Sequence, residues 1–442
     1  MATLHLAHWA VNLQHSTLPQ SVLLAARRSL YNYIGCTIGG SNHPTVQKAQ
    51  TALSPFFGPA TSTLLGRHSK IDAQHAALLN GIASHVHDYD DTHLATIIHP
   101  TGPVASALLA YVEFQKEAVS GGELLTALTA GIETSCKLGL ALWPSHYDVG
   151  WHITSTTGSI GAAVAVGKVM GLDAERMAHA IGIAATQATG LREMFGSDTK
   201  SFHPGRAAQN GLVAALLARE GFTSSSAALE AKRGWGNVLV SGGEPQLERF
   251  LGELGSVWEV ERNAFKPFPC GIVCHPAMDG GIQLHGEVKG EVEGVEVRVH
   301  PLVLELTGKK TPRDGLEGKF SVFHGVAVAL LFGKAGPAEY ADGVVRDSKV
   351  VALRDKISAT ADEGLRADEA FVTVVLKDGT RLEKHVVHAI GSLEIPMTDE
   401  QLTEKFVDQC ELVLGKEGAR KASEGAWAIG DVGDVASAVK GL

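Results

Sequence analysis

The sequence predicts a mainly α protein, with a large all-helical domain and a smaller α+β domain inserted before a C-terminal helical segment. Apolar residues recur at helical spacing through about residue 240. Near residue 285 the apolar period changes to two, which is typical of half-buried strands. Helical spacing returns from residue 399 to the end. We therefore expect an all-helical domain over residues 1–267 and 396–442, and an α+β domain over 268–395.

The helical text contains one clearly terminated helix and six further candidates. Residues 21–38 carry apolar side chains at helical spacing and end at Gly39-Gly40, a glycine stop signal. The other predicted helices cover 72–87, 103–117, 122–142, 152–170, 174–190 and 205–220. Several are rich in Ala and Gly, so their axes can approach closely, and we expect them at the centre of the domain.

The inserted domain has both strand and helix signals. Residues 295–299 alternate at period two, and residues 371–387 predict a hairpin with Asp378-Gly379 in a tight turn. Helices are expected at 320–333 and 348–357, and the segments 333–343 and 362–369 are expected to be exposed.

Composition excludes several classes of protein. With 45% hydrophobic and 19% charged residues, the 442-residue chain is typical of folded proteins. A net charge of −10 argues against nucleic acid or an anionic membrane as the main partner. No apolar run reaches the ~18 residues that a membrane span needs. Five cysteines are too few and odd in number for a disulfide framework. With no visible targeting segment, we expect a cytoplasmic protein.

Nucleotide and metal motifs have little support. The chain has no P-loop, and the Gly-rich text GSIGAAVAVG lies within a helical pattern rather than between a strand and a helix. The run Cys270-x3-Cys274-His275 has no second Cys/His pair at zinc-like spacing. We therefore predict that the protein uses no metal.

The densest group of polar residues is HDYDDTH at 87–93, followed by His99. It can be a helix end whose His and Asp residues cap a loop. It can equally be the floor of a site, in which Asp88 or Asp91 orients a histidine and Thr92 donates to a ligand. An acidic partner fixes the tautomer of a histidine and raises its basicity.

Two further groups lie at predicted helix starts. His152 follows Gly150-Trp151, where it is either a cap or core residue or a ligand contact beside a helix N-terminus. Lys200, His203 and Arg206 occur in the segment that leads into the helix predicted from 205. They form either a basic surface or a set of cations for carboxylates, and a desolvated Lys200 can serve as a base.

The fourth group is KPFPCGIVCHP at 266–276, at the junction between the domains. Its three prolines suit a rigid hinge, whereas Lys266 and His275 suit a ligand cleft. His324 reads as a half-buried helix residue or as a fifth contributor. Together the groups indicate a site of Asp, His, Lys and Arg that suits proton abstraction next to a carboxylate of a small di- or tricarboxylic acid.

The strings HDYDDTH…HP, GWH, GIAATQATGL…TKSFHPGRAAQNG and KPFPCGIVCHPA closely resemble the MmgE/PrpD family, in the same order along nearly the whole chain. This family includes dehydratases of 2-methylcitrate, decarboxylases of cis-aconitate and epimerases of iminodisuccinate. The resemblance implies a large helical domain, a smaller α+β domain and a homodimer without metal or organic cofactor.

The decarboxylase branch of the family implies a particular set of site residues. By similarity the site uses Asp88, Thr92, His99, His152, Lys200 and Lys266. The chain departs from animal decarboxylases at two positions: Gly271 stands where that branch has a histidine, and His324 where it has a tyrosine. Both departures argue against a direct transfer of decarboxylase activity.

The leading hypothesis is a cofactor-free dehydratase of a 2-methylcitrate-type acid. His152 or Lys200 takes the α-proton, His99 protonates the departing hydroxyl, and Asp88 completes the catalytic set. The expected substrate contacts are Thr92, Asp91, His203, Arg206, Lys266, His275 and His324. The alternatives are a decarboxylase of cis-aconitate-type acids, an epimerase of an imino-dicarboxylate, and a non-catalytic polycarboxylate-binding protein.

Overall fold

The computed structural model describes residues 1–67 and 69–442 and confirms the mainly α fold class. The chain divides into two compact units. The helical unit contains Met1–Val86, Asp90–Asn263 and Leu402–Leu442, and the sheet unit contains His87–Tyr89 and Ala264–Gln401. Within the described residues, every helix is too short or too polar to cross a bilayer.

The chain up to Ala264 is built from α-helices and a few very short strands. The helices are α1 (Ala2–Asn12), α2 (Gln20–Gly40), α3 (Pro44–Leu53), α4 (Ala73–His85), α5 (Thr101–Phe114), α6 (Gly121–Leu142), α7 (Ser145–Asp148), α8 (Ile153–Val169), α9 (Ala174–Ala185), α10 (Asp198–Arg219), α11 (Trp235–Leu239) and α12 (Leu247–Leu251). The strands are β1 (Ser62–Leu64), β2 (Ser69–Ile71), β3 (Thr92–His93) and β4 (Asn263–Ala264).

Helices α4 and α8 both pack against α10, and small residues allow the close approach. A Cβ atom added at Gly81 in α4 would lie 2.5 Å from the Cα of Gly205 in α10. A Cβ atom at Gly205 would lie 2.3 Å from the carbonyl oxygen of Leu78. A side chain at either position would therefore push α4 and α10 apart.

Helix α10 begins earlier than the sequence predicts. The predicted start at residue 205 is wrong, because α10 begins at Asp198 and continues through Pro204. Pro204 has no N–H to donate to the carbonyl of Lys200, but the rest of the helix keeps its path. Lys200 and His203 therefore lie one turn apart on a helix rather than on a loop.

The sheet unit combines short helices with a four-stranded mixed sheet. Its helices are α13 (His275–His285), α14 (Pro301–Thr307), α15 (Gly315–Gly318), α16 (Val322–Phe332), α17 (Asp342–Val345) and α18 (Ser348–Asp355). Its strands are β5 (Val292–Val299), β6 (Ile357–Ala361), β7 (Ala370–Leu376) and β8 (Arg381–Val386), in the spatial order β6-β5-β7-β8. Strands β5 and β6 are parallel, and the other neighbours are antiparallel.

The predicted hairpin is confirmed as β7 and β8, whose turn holds Gly379 at φ 88°. The expectation of an exposed segment at 333–343 is wrong in part. Tyr340 is only 4% exposed, and its ring centroid lies 5.1 Å from that of His324.

The chain ends in α19 (Asp399–Ala428) and α20 (Val435–Val439). Helix α19 is interrupted at Gly415, whose φ of 68° places it in the left-handed region that glycine adopts readily.

Candidate active site

Four histidines, a lysine and an aspartate come together inside the helical unit. His85 is the last residue of α4, His99 precedes α5, His152 is the N-cap of α8, and Lys200 lies in the first turn of α10. The ring centroid of His85 is 4.7 Å from that of His99 and 6.0 Å from that of His152. We call this group the histidine cluster, and its members are His85, Asp90, His99, His152, Lys200 and His203. All six side chains are buried.

Asp90, His85 and Lys200 form a directed chain of hydrogen bonds, which we call the relay group. The Nδ1 atom of His85 lies 2.8 Å from Oδ2 of Asp90, and its Nε2 atom lies 3.0 Å from Nζ of Lys200. A carboxylate only accepts hydrogen bonds, so His85 carries its proton on Nδ1. Its Nε2 atom is then the acceptor for the ammonium group of Lys200.

The surroundings of His99 also fix its tautomer. Its Nδ1 atom lies 2.8 Å from the carbonyl oxygen of Asp91 and 3.3 Å from Oγ1 of Thr92. Because the carbonyl oxygen can only accept, Nδ1 carries the proton and Nε2 is the basic nitrogen of the neutral ring. Oδ1 of Asp90 lies 3.5 Å from the same Nδ1 atom. An imidazolium at His99 would therefore be stabilised by Asp90.

His152 and His203 share one hydrogen bond between their Nδ1 atoms, which are 2.8 Å apart. Burial, together with the nearby His203 and Lys200, lowers the pKa of His152 well below its ordinary value. Burial, with His85 and Lys200, lowers the pKa of His203 to about 4. Both rings are therefore neutral at pH 7, and a single proton lies between the two Nδ1 atoms. The side chain of His152 makes no capping hydrogen bond, which argues against the capping interpretation.

Asp91 has a different role from the one predicted. Oδ2 of its carboxylate accepts hydrogen bonds from Thr101, at 2.5 Å, and from Asn263, rather than holding a histidine. Only its backbone carbonyl holds His99. Burial, and then the charge of Asp90, raise the pKa of Asp91 to about 7. In the histidine cluster, Asp90 is the carboxylate that contacts His85, whereas the sequence pointed to Asp88 or Asp91 for this role.

Arg206 does not join the histidine cluster in the described part of the chain. It is exposed, and its Nη1 atom donates to Oε1 of Gln209 at 2.8 Å. Six residues turn an α-helix through about 600°, so Arg206 lies on a different face of α10 from Lys200. The predicted role of Arg206 beside Lys200 is therefore not supported by the geometry.

In the sheet unit, Asp88 and Lys266 form a buried ion pair. The Nζ atom of Lys266 lies 3.0 Å from Oδ1 of Asp88 and also donates to the carbonyl oxygens of Asp88 and Cys270, each at 3.1 Å. Asp88 has a φ of 52°, a left-handed conformation that Asp tolerates better than most residues. Beside it, Nζ of Lys319 lies 3.3 Å from Nδ1 of His87.

His275 and His324 are both fully enclosed in the sheet unit. His275 is 2% exposed and packs edge-on against Phe268, at 5.2 Å between ring centroids. His324 is 0% exposed, and its Nε2 atom donates to the carbonyl oxygen of Glu339 at 3.1 Å. Burial lowers the pKa of His324 to about 4, so this ring is neutral at pH 7. Their predicted substrate contacts stay predictions.

Position 271 is sterically closed. A Cβ atom at Gly271 would lie 2.8 Å from Cγ2 of Thr307, so a histidine cannot replace this glycine unless Thr307 shifts. The packing around position 271 therefore favours the glycine that stands there.

The cluster also contains atoms of the kind that bind metals. His85, Asp90 and His99 each offer a ligand-type atom within 4.8 Å of the others. The Nδ1 atoms of both rings are protonated by the argument above, and Nε2 of His85 faces the ammonium of Lys200. A divalent cation would have to displace this hydrogen-bonded chain and would be repelled by Lys200, so the donor set fits a metal poorly. The absence of a metal from the proposed chemistry stays a prediction.

A cavity of about 640 Å³ lies elsewhere in the helical unit, lined by apolar side chains such as Ile183, Phe222 and Trp235. Among the described residues, its lining includes none of the predicted site residues.

Sequence reasoning missed His85 altogether and gave no role to Asp90. A signal was present, because His85 lies five residues before Asp90 at the end of a predicted helix. That spacing does not reveal which carboxylate among Asp88, Asp90 and Asp91 meets the ring. The pairing depends on the turn between Val86 and Asp90, which the period of apolar residues does not describe.

Comparison with known proteins agrees with the resemblance seen in the motifs. The model of the MmgE/PrpD N-terminal domain matches residues 4–248, and that of the C-terminal domain matches residues 268–429. A cis-aconitate decarboxylase-like protein of Aspergillus oryzae is 27% identical, over 98% of this chain and 95% of that protein. The cis-aconitate decarboxylase of Homo sapiens is 25% identical, over 88% and 83%. The 2-methylcitrate dehydratase of Escherichia coli K12 is 27% identical, over 82% and 80%. The chain belongs to the MmgE/PrpD family.

Proposed function

We propose that this protein is a lyase that acts on a small citrate-like polycarboxylate, and that it dehydrates an alkylcitrate-type hydroxy acid. The relatives include a dehydratase of 2-methylcitrate and decarboxylases of cis-aconitate, whose names denote loss of water and loss of carbon dioxide. Both reactions remove a small neutral molecule from a tricarboxylate skeleton. The proposal also takes the enzyme to be a cytoplasmic homodimer without a cofactor.

The observation that carries the proposal is the buried set of neutral imidazoles around Lys200. A proton next to a carboxylate is weakly acidic, so its removal needs a base that is unprotonated at neutral pH. His152 and His203 are neutral because burial lowers their pKa values. Lys200 supplies a cation for the negative charge that develops on the carboxylate, either throughout the step when His152 is the base or as the amine gains the α-proton when Lys200 itself is the base.

The dehydration can be written with these groups alone. His152 or Lys200 takes the α-proton, so the C–H bond breaks and its electron pair enters the enolate-like system. That pair then forms the carbon–carbon double bond while the carbon–oxygen bond breaks. His99, as the imidazolium that Asp90 stabilises, gives its Nε2 proton to the departing hydroxyl, which leaves as water. Thr92, whose Oγ1 lies 3.3 Å from Nδ1 of His99, helps to hold that ring.

Decarboxylation is the second candidate, favoured by the length of the alignment to the Aspergillus oryzae protein. A decarboxylase also needs cations and a proton donor, but it does not need a base for an α-proton. Gly271 and its contact with Thr307 argue against a site built like that of the animal decarboxylases. We therefore rank dehydration first.

The test is an activity screen of the purified full-length protein. It is incubated with citrate, 2-methylcitrate and other alkylcitrates, cis-aconitate and an imino-dicarboxylate, and each mixture is analysed by mass spectrometry. A loss of 18 Da with new alkene absorbance supports dehydration, and a loss of 44 Da identifies a decarboxylase. Deuterium incorporation at an α-carbon without net conversion identifies an epimerase. Inactivity toward every alkylcitrate would sink the dehydratase proposal.

His152→Gln separates an enzyme from a binding protein. An enzyme loses turnover because glutamine cannot take a proton, whereas a binding protein keeps most of its affinity in calorimetry. Lys266→Met tests the predicted carboxylate contact, which would appear as a raised KM. Sedimentation and metal analysis of the same preparation test the homodimer and the absence of a cofactor.

A further inference from the structure

We propose that His85, held by Asp90, takes up a proton from Lys200 and thereby makes the amine of Lys200 the base of the reaction, so that His85 and Asp90 are positioning residues that act through Lys200. The identity of the reaction rests on the proposed function, but the transfer between Lys200 and His85 rests on their contacts alone. Neither His85 nor Asp90 was assigned a role by the motifs.

The direction of the hydrogen bonds carries the argument. Asp90 holds the Nδ1 proton of His85, with its two oxygens at 2.8 and 3.0 Å. The lone pair of His85 is therefore on Nε2 and points along a 3.0 Å contact to Nζ of Lys200. An imidazole nitrogen in this position can accept the proton itself, which a carbonyl or amide oxygen would not do.

The transfer balances without any further reactant. The N–H bond of Lys200 breaks, its electron pair stays on Nζ, and a new bond forms between the proton and Nε2 of His85. The positive charge moves from the lysine to an imidazolium that already contacts the Asp90 carboxylate. The neutral amine of Lys200 then takes the α-proton of the substrate, and the C–H electrons enter the enolate.

The groups that face the relay group make this transfer favourable. From α8 and α10, His152 and His203 present rings that burial keeps neutral. His99, from the segment before α5, packs edge-on against His85. In this dry environment the Asp90 carboxylate stabilises a proton on His85.

The decisive variants separate proton transfer from simple positioning. In His85→Gln the side-chain oxygen replaces Nε2 and still accepts a hydrogen bond from Lys200, but it cannot take the proton. We expect kcat to fall by about 10²-fold or more, with KM within about threefold of the wild type. His75→Gln is the matched control, because His75 lies on the same helix and pairs with Asp72 at 2.8 Å, outside the cluster. Wild-type kcat in His85→Gln would overturn the proposal.

Asp90→Asn tests the tautomer. The amide would donate to Nδ1 of His85, so the ring proton would move to Nε2. There it would face the N–H groups of Lys200, and His85 could no longer accept a proton from the lysine. We expect a loss in kcat of about 10²–10⁴-fold, as for other histidines whose carboxylate partner is replaced by an amide. His85→Asn retains a donor for Asp90 but loses the contact with Lys200, and it should be as impaired as His85→Gln. Recovery of activity in His85→Asn would contradict the relay.

A reaction that needs no substrate tests the relay separately from the proposed function. Cyanate carbamylates only unprotonated amines, and peptide mapping by mass spectrometry gives the rate at Lys200. We expect this rate to fall by at least about tenfold in His85→Gln, which corresponds to one pKa unit for the lysine, while His75→Gln leaves it unchanged. Equal rates in the wild type and His85→Gln would refute the relay. A slowed rate in a protein that turns over no acid would instead refute the proposed function and leave the relay standing.

Discussion

Among the residues that the structure describes, the helical unit has two buried groups made of an acid, a histidine and a lysine, and the order of the three differs. In the relay group, His85 is in the middle, between Asp90 and Lys200. In the second group, which we call the Glu259 group, the carboxylate is in the middle. Oε2 of Glu259 lies 3.0 Å from Nε2 of His93, and its Oε1 atom lies 2.7 Å from Nζ of Lys137.

The order decides what each group can do. A central carboxylate accepts from both neighbours and holds their protons in place. Burial alone would raise the pKa of Glu259, but hydrogen bonds from His93 and Lys137 outweigh it and lower the pKa to about 2. A central histidine has one donor and one acceptor nitrogen, so a proton that enters on one side is balanced by the acid on the other. The same residue types thus hold their protons in place in the Glu259 group, whereas in the relay group they can pass a proton from one side chain to the next.

The largest expected effect comes from removing the two lysines in parallel. Lys200→Met should lower kcat by about 10²–10⁴-fold while the protein stays folded, because it removes an acid–base group. Lys137→Met should instead destabilise the fold by about 3–5 kcal/mol, because it leaves the buried Glu259 without its nearest cation, at 2.7 Å, and with the more distant Arg262, at 3.4 Å. Steady-state kinetics and urea unfolding are measured on both variants. The comparison fails if Lys137→Met loses turnover per folded molecule as severely as Lys200→Met.

Acid should affect the Glu259 group in a defined direction. The folded-state pKa of Glu259 is depressed from 4.5 to about 2, so its stabilising contribution is present above about pH 4.5 and is lost as the pH falls toward 2. Glu259→Gln should lower the free energy of unfolding at pH 7 by an amount comparable with Lys137→Met. It should also flatten the decline of stability below pH 4.5. Urea midpoints measured from pH 2 to pH 7 test both, and an unchanged slope would contradict the assignment.

A smaller effect is expected at His203, which fixes one nitrogen of His152. His203→Phe keeps an aromatic ring but removes the Nδ1 partner at 2.8 Å. One such hydrogen bond contributes about 0.5–1.5 kcal/mol, so we expect a loss in kcat of up to about tenfold. His179→Phe, in α9 and outside the cluster, is the control. A loss as large as that of Lys200→Met would mean that His203 transfers protons itself.

The last prediction concerns Asp91 and the dependence of stability on pH. Its folded-state pKa is raised from 3.8 to about 7, so the folded protein holds this proton more tightly than the unfolded chain. The stability that this provides is full below about pH 3.8 and is lost as the pH rises toward 7. Asp91→Asn cannot ionise, and it should lose less stability than the wild type between pH 4 and pH 8. Thermal melting across this range is the measurement, and parallel curves would disprove the raised pKa.

The fold class and most helices were predictable because both follow from local periodicity. The hairpin of β7 and β8 was predictable because Asp378-Gly379 fixes its turn. The start of α10 was not, since proline signals a helix start more often than it occupies a helix interior, whereas Pro204 lies inside α10.

The candidate site was predictable in its residue types but not in its connections. His99, His152, Lys200 and His203 were singled out from their motifs, and the structure brings them together. The motif also places Arg206 with them, because residue spacing alone does not show that residues 198–204 are helical. His85 was missed and Asp91 preferred to Asp90, because hydrogen-bond partners and tautomers depend on tertiary distances that no spacing of residues reveals.

The contact between Gly81 and Gly205 has a consequence for transplanting this site. Gly81 is four residues before His85 and Gly205 is five after Lys200, so the two backbones that carry the relay group touch where neither has a side chain. The 3.0 Å distance between Nε2 of His85 and Nζ of Lys200 therefore depends on the close approach of α4 and α10 that these two glycines allow. Grafting the histidines, the aspartate and the lysine onto a helical scaffold would fail unless this pair of glycines were grafted with them.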